Sequence, residues 1–227
     1  MQLFWIKGYE GASISDLTKV MGIGSPSLYA AFGSKEALFL EAAQLYDVTE
    51  GSPNWRALQT AATAREAVQG VLMDSAVAFG RNDNPGGCLN VLSALNATDE
   101  NEHVRSELRS KRLQCIEALE ARLERAIAAG ELSGEVDIRS VAKFYVTVHQ
   151  GMSIQSRDGA STETLIGIAQ SAMSAWDSLT RPPGKSRKKT AERKVERDSE
   201  KRALPKSIRN RKQSNDRSRS ALKNSCR

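Results

Sequence analysis

The chain has 227 residues, 40% of them apolar and 5% aromatic, which suits one large or two small domains with a sizeable core. Its net charge of +6 divides sharply: residues 181–227 carry 18 Lys/Arg and 5 Asp/Glu, a net +13, whereas residues 1–180 are net −7. No stretch reaches the ~20 apolar residues of a membrane helix, residues 1–7 are too short for a signal h-region, and the scattered Cys88, Cys115 and Cys226 form neither a disulfide framework nor a zinc spacing.

The expected setting is therefore a reducing cytoplasm, with no membrane partner, no metal and no cofactor. Strand signals are scarce, because the chain lacks sustained alternation and any Asn-Gly or Asp-Gly hairpin, and the pattern predicts an all-α fold. Ser13 or Ser15 can cap a helix running through Leu17 and Val20 to Met21, stopped by Gly22. Ser25-Pro26 opens a second, with proline at the first helical position where its missing N–H costs nothing, and that helix ends near Phe32-Gly33. Ser34 caps a third, with Ala37, Leu38 and Leu45 as apolar positions, fading at Gly51-Ser52-Pro53.

Longer helices follow. Residues 54–80 place Leu58, Ala61, Ala62, Val68, Leu72, Ala76 and Phe79 at roughly helical spacing; residues 82–87 are a loop, and 88–95 a short buried helix. Over residues 102–129 the series Val104, Leu108, Leu113, Ile116, Leu119, Leu123, Ile127 keeps a 3–4 period. Glu117, Glu120 and Glu124 sit near Arg122 and Arg125 on its outer face, and Gly130 and Gly134 break it. Residues 136–152 and 162–179 form two more apolar helices, whose small residues and wide apolar faces suggest packing against a second copy. Beyond Arg181-Pro182-Pro183-Gly184 large apolar residues nearly vanish, so the composition predicts disorder.

Residues 13–32 read as helix, tight turn, helix. Leu17 and Val20 face inward, Gly22 permits the turn, Ile23 plugs the space between the helices and Leu28 packs back from the second. The outward face of the second helix is then Ser25, Ser27, Ala30, Ala31 and Tyr29. Short side chains let a helix approach the floor of the major groove, where Ser bonds either base edge and Ala meets a thymine methyl.

The string Leu3-Phe4, Gly8-Tyr9-Glu10, Ser13-Ile14-Ser15-Asp16-Leu17, Met21-Gly22-Ile23-Gly24, Ser27-Leu28-Tyr29-Ala30-Ala31-Phe32 and Ser34-Lys35-Glu36-Ala37-Leu38 resembles the DNA-binding domain of TetR-family transcriptional regulators. That resemblance implies a dimeric repressor with an N-terminal reading head (residues 1–47) and a helical ligand and dimerisation domain (48–180), followed by the basic tail of 181–227. It implies double-stranded operator DNA and a small-molecule inducer as partners, and a homodimer through the helices near 136–152 and 162–179. By matching position, Ser13 caps the first helix of the motif and touches phosphate. Gly24, Ser25 and Ser27 start the recognition helix and touch bases or backbone, Tyr29 bonds phosphate, and Lys35 binds the backbone beside free helix N–H groups. Glu36 is assigned capping only.

Two departures from the family pattern stand out. Members carry about three more helical turns ahead of the Leu3-Phe4 equivalent, so either the start lies further upstream or the head is weakened. The tail is the other, and it admits three readings: a nucleic-acid arm acting through counterion release, a solvated extension, or the product of a shifted frame. The expected pocket lies within residues 54–152, apolar with few polar groups, and its candidates are Met73, Val77, Leu92, Phe144 and His149. Cys88 and Cys115, among apolar neighbours, read as buried structural thiols, and His103 as a solvated surface residue; His149 is either pocket lining or a satisfied core histidine. No Gly-x-Ser-x-Gly, phosphate loop, His-Glu-x-x-His or Cys-x-x-Cys is present, so no enzyme is expected. The alternatives are a helical ligand-binding dimer that has lost specific DNA binding, and a non-specific nucleic-acid binder driven by the tail.

Overall fold

The computed structural model describes residues 1–93 and 98–182; the end of the 88–95 run, nearly all of the basic tail and Cys226 lie outside them. Among the described residues there are eleven α-helices and no strand. Helix α1 (Gln2–Gly11) buries Phe4, Trp5 and Tyr9. Phe4 and Tyr9 meet Phe39 edge-on at 5.0 and 5.1 Å, and Trp5 meets Tyr46 at 4.8 Å. Phe39 and Tyr46 belong to α4 (Lys35–Tyr46), so this aromatic cluster fixes the first helix on the fourth. Gly8 interrupts α1 with φ 71°, which lets the Tyr9 N–H leave the helix and donate to the Ser93 carbonyl at 2.8 Å.

The helix-turn-helix is α2 (Ile14–Met21) and α3 (Ser25–Phe32). Of the two candidate caps Ser13 is the one used: its Oγ accepts from the Asp16 N–H at 3.0 Å, and Asp16 returns the bond to the Ser13 N–H at 3.2 Å. Gly22 closes α2 in the left-handed region. Gly24 is the cap of α3, and Pro26 is its second residue instead of its first, still within the turn whose N–H groups have no helical partner. Leu17 and Leu28 are buried between the two helices, but Val20 is 70% exposed and Ile23 36%. A two-turn helix offers one inward knob before the chain turns, and Leu17 takes that place. Leu45 likewise faces solvent.

The bundle departs from the sequence pattern at one place of consequence. The helix expected over 54–80 is three pieces: a 3-10 turn (Ser52–Trp55), α5 (Ala57–Thr60) and α6 (Ala64–Phe79). A second capping box breaks it, with Thr63 Oγ1 accepting from the Glu66 N–H at 3.2 Å and Glu66 accepting from the Thr63 N–H at 3.0 Å. The break turns α5 back onto α6, where the missing side chain of Gly70 leaves room for Ala57. Arg122, expected on a wet face, is buried instead; it reaches the Ala62 carbonyl at 3.4 Å while Arg125 reaches that of Leu58 at 2.9 Å. Cations on carbonyls exposed at the end of a short helix satisfy acceptors that have no helical donor.

The remaining helices are α7 (Leu89–Leu92), α8 (Glu102–Ala128), α9 (Ile138–Arg157), α10 (Thr162–Met173) and α11 (Trp176–Leu179). Helix α6 packs on α10, and α8 on α9. Leu72, Leu108, Leu119, Leu123, Ala142 and Leu165 are buried between them, whereas Leu113 of the expected stripe faces solvent. The loop before α7 lies on α9: Gly87 has φ 68°, and a Cβ there would sit 2.5 Å from the Ser153 carbonyl oxygen. Ser153 and Ser156 hydroxyls accept from the N–H groups of Cys88 at 2.7 Å and Gly87 at 2.9 Å, so the loop and α9 form one wall. Among the described residues no helix is long and apolar enough to cross a membrane.

Candidate nucleic-acid interface and the cavity behind it

The outward surface of α2 and α3 is made of short polar side chains and backbone. Ser13, Gly24 and Ser27 are exposed, Ser25 is half-buried and Tyr29 is 47% exposed. Helix α3 has no side-chain cap, and the N–H groups of Ser25 and Ser27 have no partner among the described residues. Two free donors at a helix start form an anion-accepting edge. Lys35 opens α4 beside the capping Ser34, whose Oγ accepts from the Ala37 N–H at 2.9 Å. Its ammonium lies 4.4 Å over the Tyr9 ring; burial lowers its pKa and the Glu10 carboxylate acts to raise it. The head is braced by Lys7, which donates to Asp16 at 2.8 Å. That bond, with those from Ser13, holds the exposed Asp16 carboxyl at about 2, below the carboxylate range. His103 is exposed, as its acidic surroundings suggest, and its Nδ1 lies 2.5 Å from Glu36 Oε1. Glu36 therefore has a partner across the head, besides its place in the first turn of α4.

Behind the head is a cavity of about 540 Å³ between α4, the 3-10 turn, α7, α8 and α9. Tyr46, Val48, Trp55, Cys88 and Cys115 supply apolar wall, and Asp47, Asn90, Lys111, Arg112 and His149 the polar groups. Asp47 Oδ1 accepts from Asn90 Nδ2 at 2.6 Å, and its other oxygen accepts from Lys111. Arg112 Nη1 donates to the Asn90 carbonyl at 2.8 Å. Asn90 Oδ1 is buried with no donor among the described residues. His149 is 5% exposed, wedged between Trp55 (5.1 Å) and Phe79 (5.3 Å). Burial pushes its pKa down to about 4, so the imidazole is neutral at ordinary pH. Both thiols go the other way: burial raises Cys88, and raises Cys115 to about 12, which keeps them protonated and weakly nucleophilic.

The five positions expected to form a pocket do not converge. His149 lines the cavity. Val77 points outward at 53% exposure, because α6 turns its other side to α10. Met73 lies in a shallow depression with Gln69, Gln170 and Met173. Phe144 is on the outer face of α9, in a groove with Val148 and Ile168, and Leu92 is half-buried beside Gly87. Of the lining residues sequence reading found His149 alone; among those it missed are Tyr46 and Asp47 at the end of α4, Trp55, hidden inside an apparent helix, and Asn90, Lys111 and Arg112. On an amphipathic helix a Lys-Arg pair looks like a solvated face, so no local signal marked it.

Head and cavity share elements. Helix α4 begins at Lys35 and ends at Tyr46, on the cavity wall. Helix α9 carries His149 and ends at Arg157, whose guanidinium donates to the Trp5 carbonyl at 2.7 Å, Ile6 at 3.1 Å and Gly86 at 3.1 Å. Arg157 thus clamps α1 to the glycine loop. Glu10 adds a second tie, accepting from Thr98 N–H at 3.0 Å and Asn101 at 2.8 Å.

Residues 1–42 match the bacterial regulatory proteins of the tetR family, and residues 70–166 a tetracyclin repressor-like C-terminal domain. The chain is 31% identical over 185 residues to the HTH-type transcriptional repressor ComR of Escherichia coli K12, covering 80% of this chain and 87% of that one. BdcR, an HTH-type transcriptional repressor of the same organism, is 32% identical over 170 residues, 75% of this chain and 81% of its own. A cysteine mutant of the TetR family transcriptional regulator CifR, solved with 26-base-pair operator DNA, superposes with a TM-score of 0.75 at 42% identity, covering 77% of this chain and 92% of that one. With an uncapped recognition helix facing outward, a helical bundle behind it and both halves matched, the chain belongs to the TetR family of DNA-binding, non-enzymatic transcriptional regulators.

Proposed function

We propose that this regulator is a cytoplasmic, homodimeric repressor released from its operator by a small molecule held in the cavity of about 540 Å³. Residues 1–47 act as the head and 48–180 as the ligand and dimerisation domain. Ser13 and Lys35 hold phosphates, Gly24 and Ser25 bring the start of α3 to the backbone, Ser27 reads a base edge and Tyr29 bonds a phosphate oxygen. The observation that carries this reading is α4, one 12-residue helix with the head's Lys35 at its first residue and the cavity's Tyr46 at its last. At about 1.5 Å per residue it spans about 18 Å. A ligand that pushes on Tyr46 and Asp47 tilts the head as a lever, and one that binds the tilted state better than the DNA-bound state lowers operator affinity.

The dimer is supported by the outer face of α9 and α10. Phe144, Val148 and Ile168 form an apolar groove there, and a Cβ at Gly151 or Gly167 would meet nothing within 4 Å. Bare glycine beside apolar side chains suits close approach of a second helix pair.

The test is binding to DNA from the gene's own upstream region against scrambled duplex, at two salt concentrations. Selective binding that survives the higher salt is expected, because base contacts do not release counterions. Equal binding to both duplexes, lost as salt rises, would leave the +13 charge of residues 181–227 as the contact and overturn the assignment to the head.

A further inference from the structure

The charges around the cavity do not balance. One lining residue, Asp47, is acidic and three, Arg56, Lys111 and Arg112, are basic. Lys111 is bonded to Asp47, and Arg56 lies in the field of Asp74 on α6. Arg112 has no carboxylate partner among the described residues. Its guanidinium makes one hydrogen bond, to the Asn90 carbonyl at 2.8 Å, and the other cation acting on it is Arg109, of like sign. A guanidinium carries five N–H donors in a planar fork, so one with a single protein acceptor has donors left to offer a ligand in the cavity. One further lining group is unpaired. The His149 imidazole is 5% exposed and has no hydrogen-bond partner among the described residues. The rest of the wall is apolar and aromatic, from Tyr46, Val48 and Trp55.

These residues ask for two things in one molecule: a planar anion for the fork and a flat apolar body for Trp55. We propose that the cavity binds an aromatic monocarboxylate of one or two rings, its carboxylate on Arg112 and its ring against Trp55. Arg112 selects for a carboxylate because two parallel N–H donors match its two oxygens. Lys111 is already engaged by Asp47, so the site holds one negative charge and disfavours dianions. The proposal rests on the reading of this cavity as the inducer site.

Calorimetric titration of the full chain with 4-hydroxybenzoate and 6-hydroxy-2-naphthoate, each against its primary amide, tests it at pH 7. Carboxylates are expected to bind at least tenfold tighter than the amides. Arg112→Gln should erase that preference, and Arg109→Gln, the same charge change outside the cavity, should keep it. Equal binding of acids and amides by the unaltered chain, no binding of either acid at millimolar concentration, or a preference that survives Arg112→Gln would each overturn the assignment. Operator release is measured in the same samples. Acids that bind and leave the operator complex intact would uphold the ligand class and sink the inducer reading. Release by neutral or cationic compounds, with no binding of the acids, would do the reverse.

Discussion

In the reading head, bonds between near neighbours set the ends of the helices: Ser13 with Asp16 and Ser34 with Ala37 are three residues apart, and Lys7 with Asp16 nine. Around the cavity the separations are 43 for Asn90 with Asp47, 64 for Lys111 with Asp47 and 65 for Cys88 with Ser153. The head is a set of locally specified pieces presented to solvent. The cavity exists only once distant segments have packed, and it is there that burial shifts His149, Cys88 and Cys115. The two regions should therefore fail differently: the head through its caps and turns, the cavity through packing and protonation.

The aromatic cluster that joins the regions carries the largest expected effect. Phe39 is fully buried against Phe4 and Tyr9, so Phe39→Ala should cost about 3–5 kcal/mol. Thermal unfolding followed by circular dichroism should still give one transition, lowered by many degrees. Two separated transitions would show that head and bundle unfold independently, and would break the lever argument.

Next in size is the protonation of His149, a purely cavity effect. Its folded pKa of about 4 lies below the ordinary 6.5, so the unfolded chain binds the extra proton first. The contribution is complete above about pH 6.5, declines as pH falls from there, and is exhausted near pH 4; the whole amounts to about 3 kcal/mol. Urea midpoints at pH 7 and pH 4.5 should differ markedly in the native chain, and the His149→Phe chain should show a clearly smaller difference. An unchanged pH dependence in that variant would mean the imidazole is solvated.

Gly22 isolates the head from the cavity. Its φ is 67° and a Cβ would meet nothing within 4 Å, so Gly22→Ala changes backbone strain alone. That strain is about 1–2 kcal/mol. Operator affinity should fall while calorimetric binding in the cavity stays as it was. Equal losses at both sites would mean the turn is part of the bundle's own packing.

How much could be read beforehand follows the same division. Ser13, Gly22, Pro26 and Ser34 each act within a turn of where they stand, so the helix-turn-helix and the start of α4 are visible in the residue order. The exposure of Val20 is not, because spacing alone places it beside Leu17. The break at residues 61–63 had a local signal in Thr63 and Glu66, overridden by an apolar period that runs straight through it. Arg112 had none. Whether a cation on an amphipathic helix meets water or a cavity depends on Asn90, 22 positions away, and no periodicity encodes that. The same holds for Arg157, whose acceptors at Trp5 and Ile6 are about 150 residues distant.

The smallest effects belong to single contacts on the reading face. Tyr29 is 47% exposed and its ring faces outward, so Tyr29→Phe removes one hydroxyl and should cost about 1 kcal/mol of operator affinity, roughly uniformly across sequences. Lys35→Ala removes a phosphate contact as well as its place over the Tyr9 ring at 4.4 Å, the latter contributing about 0.5–1 kcal/mol to stability. The two losses separate by salt dependence. Loss of a phosphate contact lowers the steepness of log affinity against log salt by about one per subunit, whereas a weakened head lowers affinity at every salt alike. Lys35→Arg keeps both the charge and the ring contact, and should restore the slope. An Ala variant with an unchanged slope would make Lys35 a brace for Tyr9, and would leave the free N–H groups at the start of α3 as the head's main anchor on the backbone.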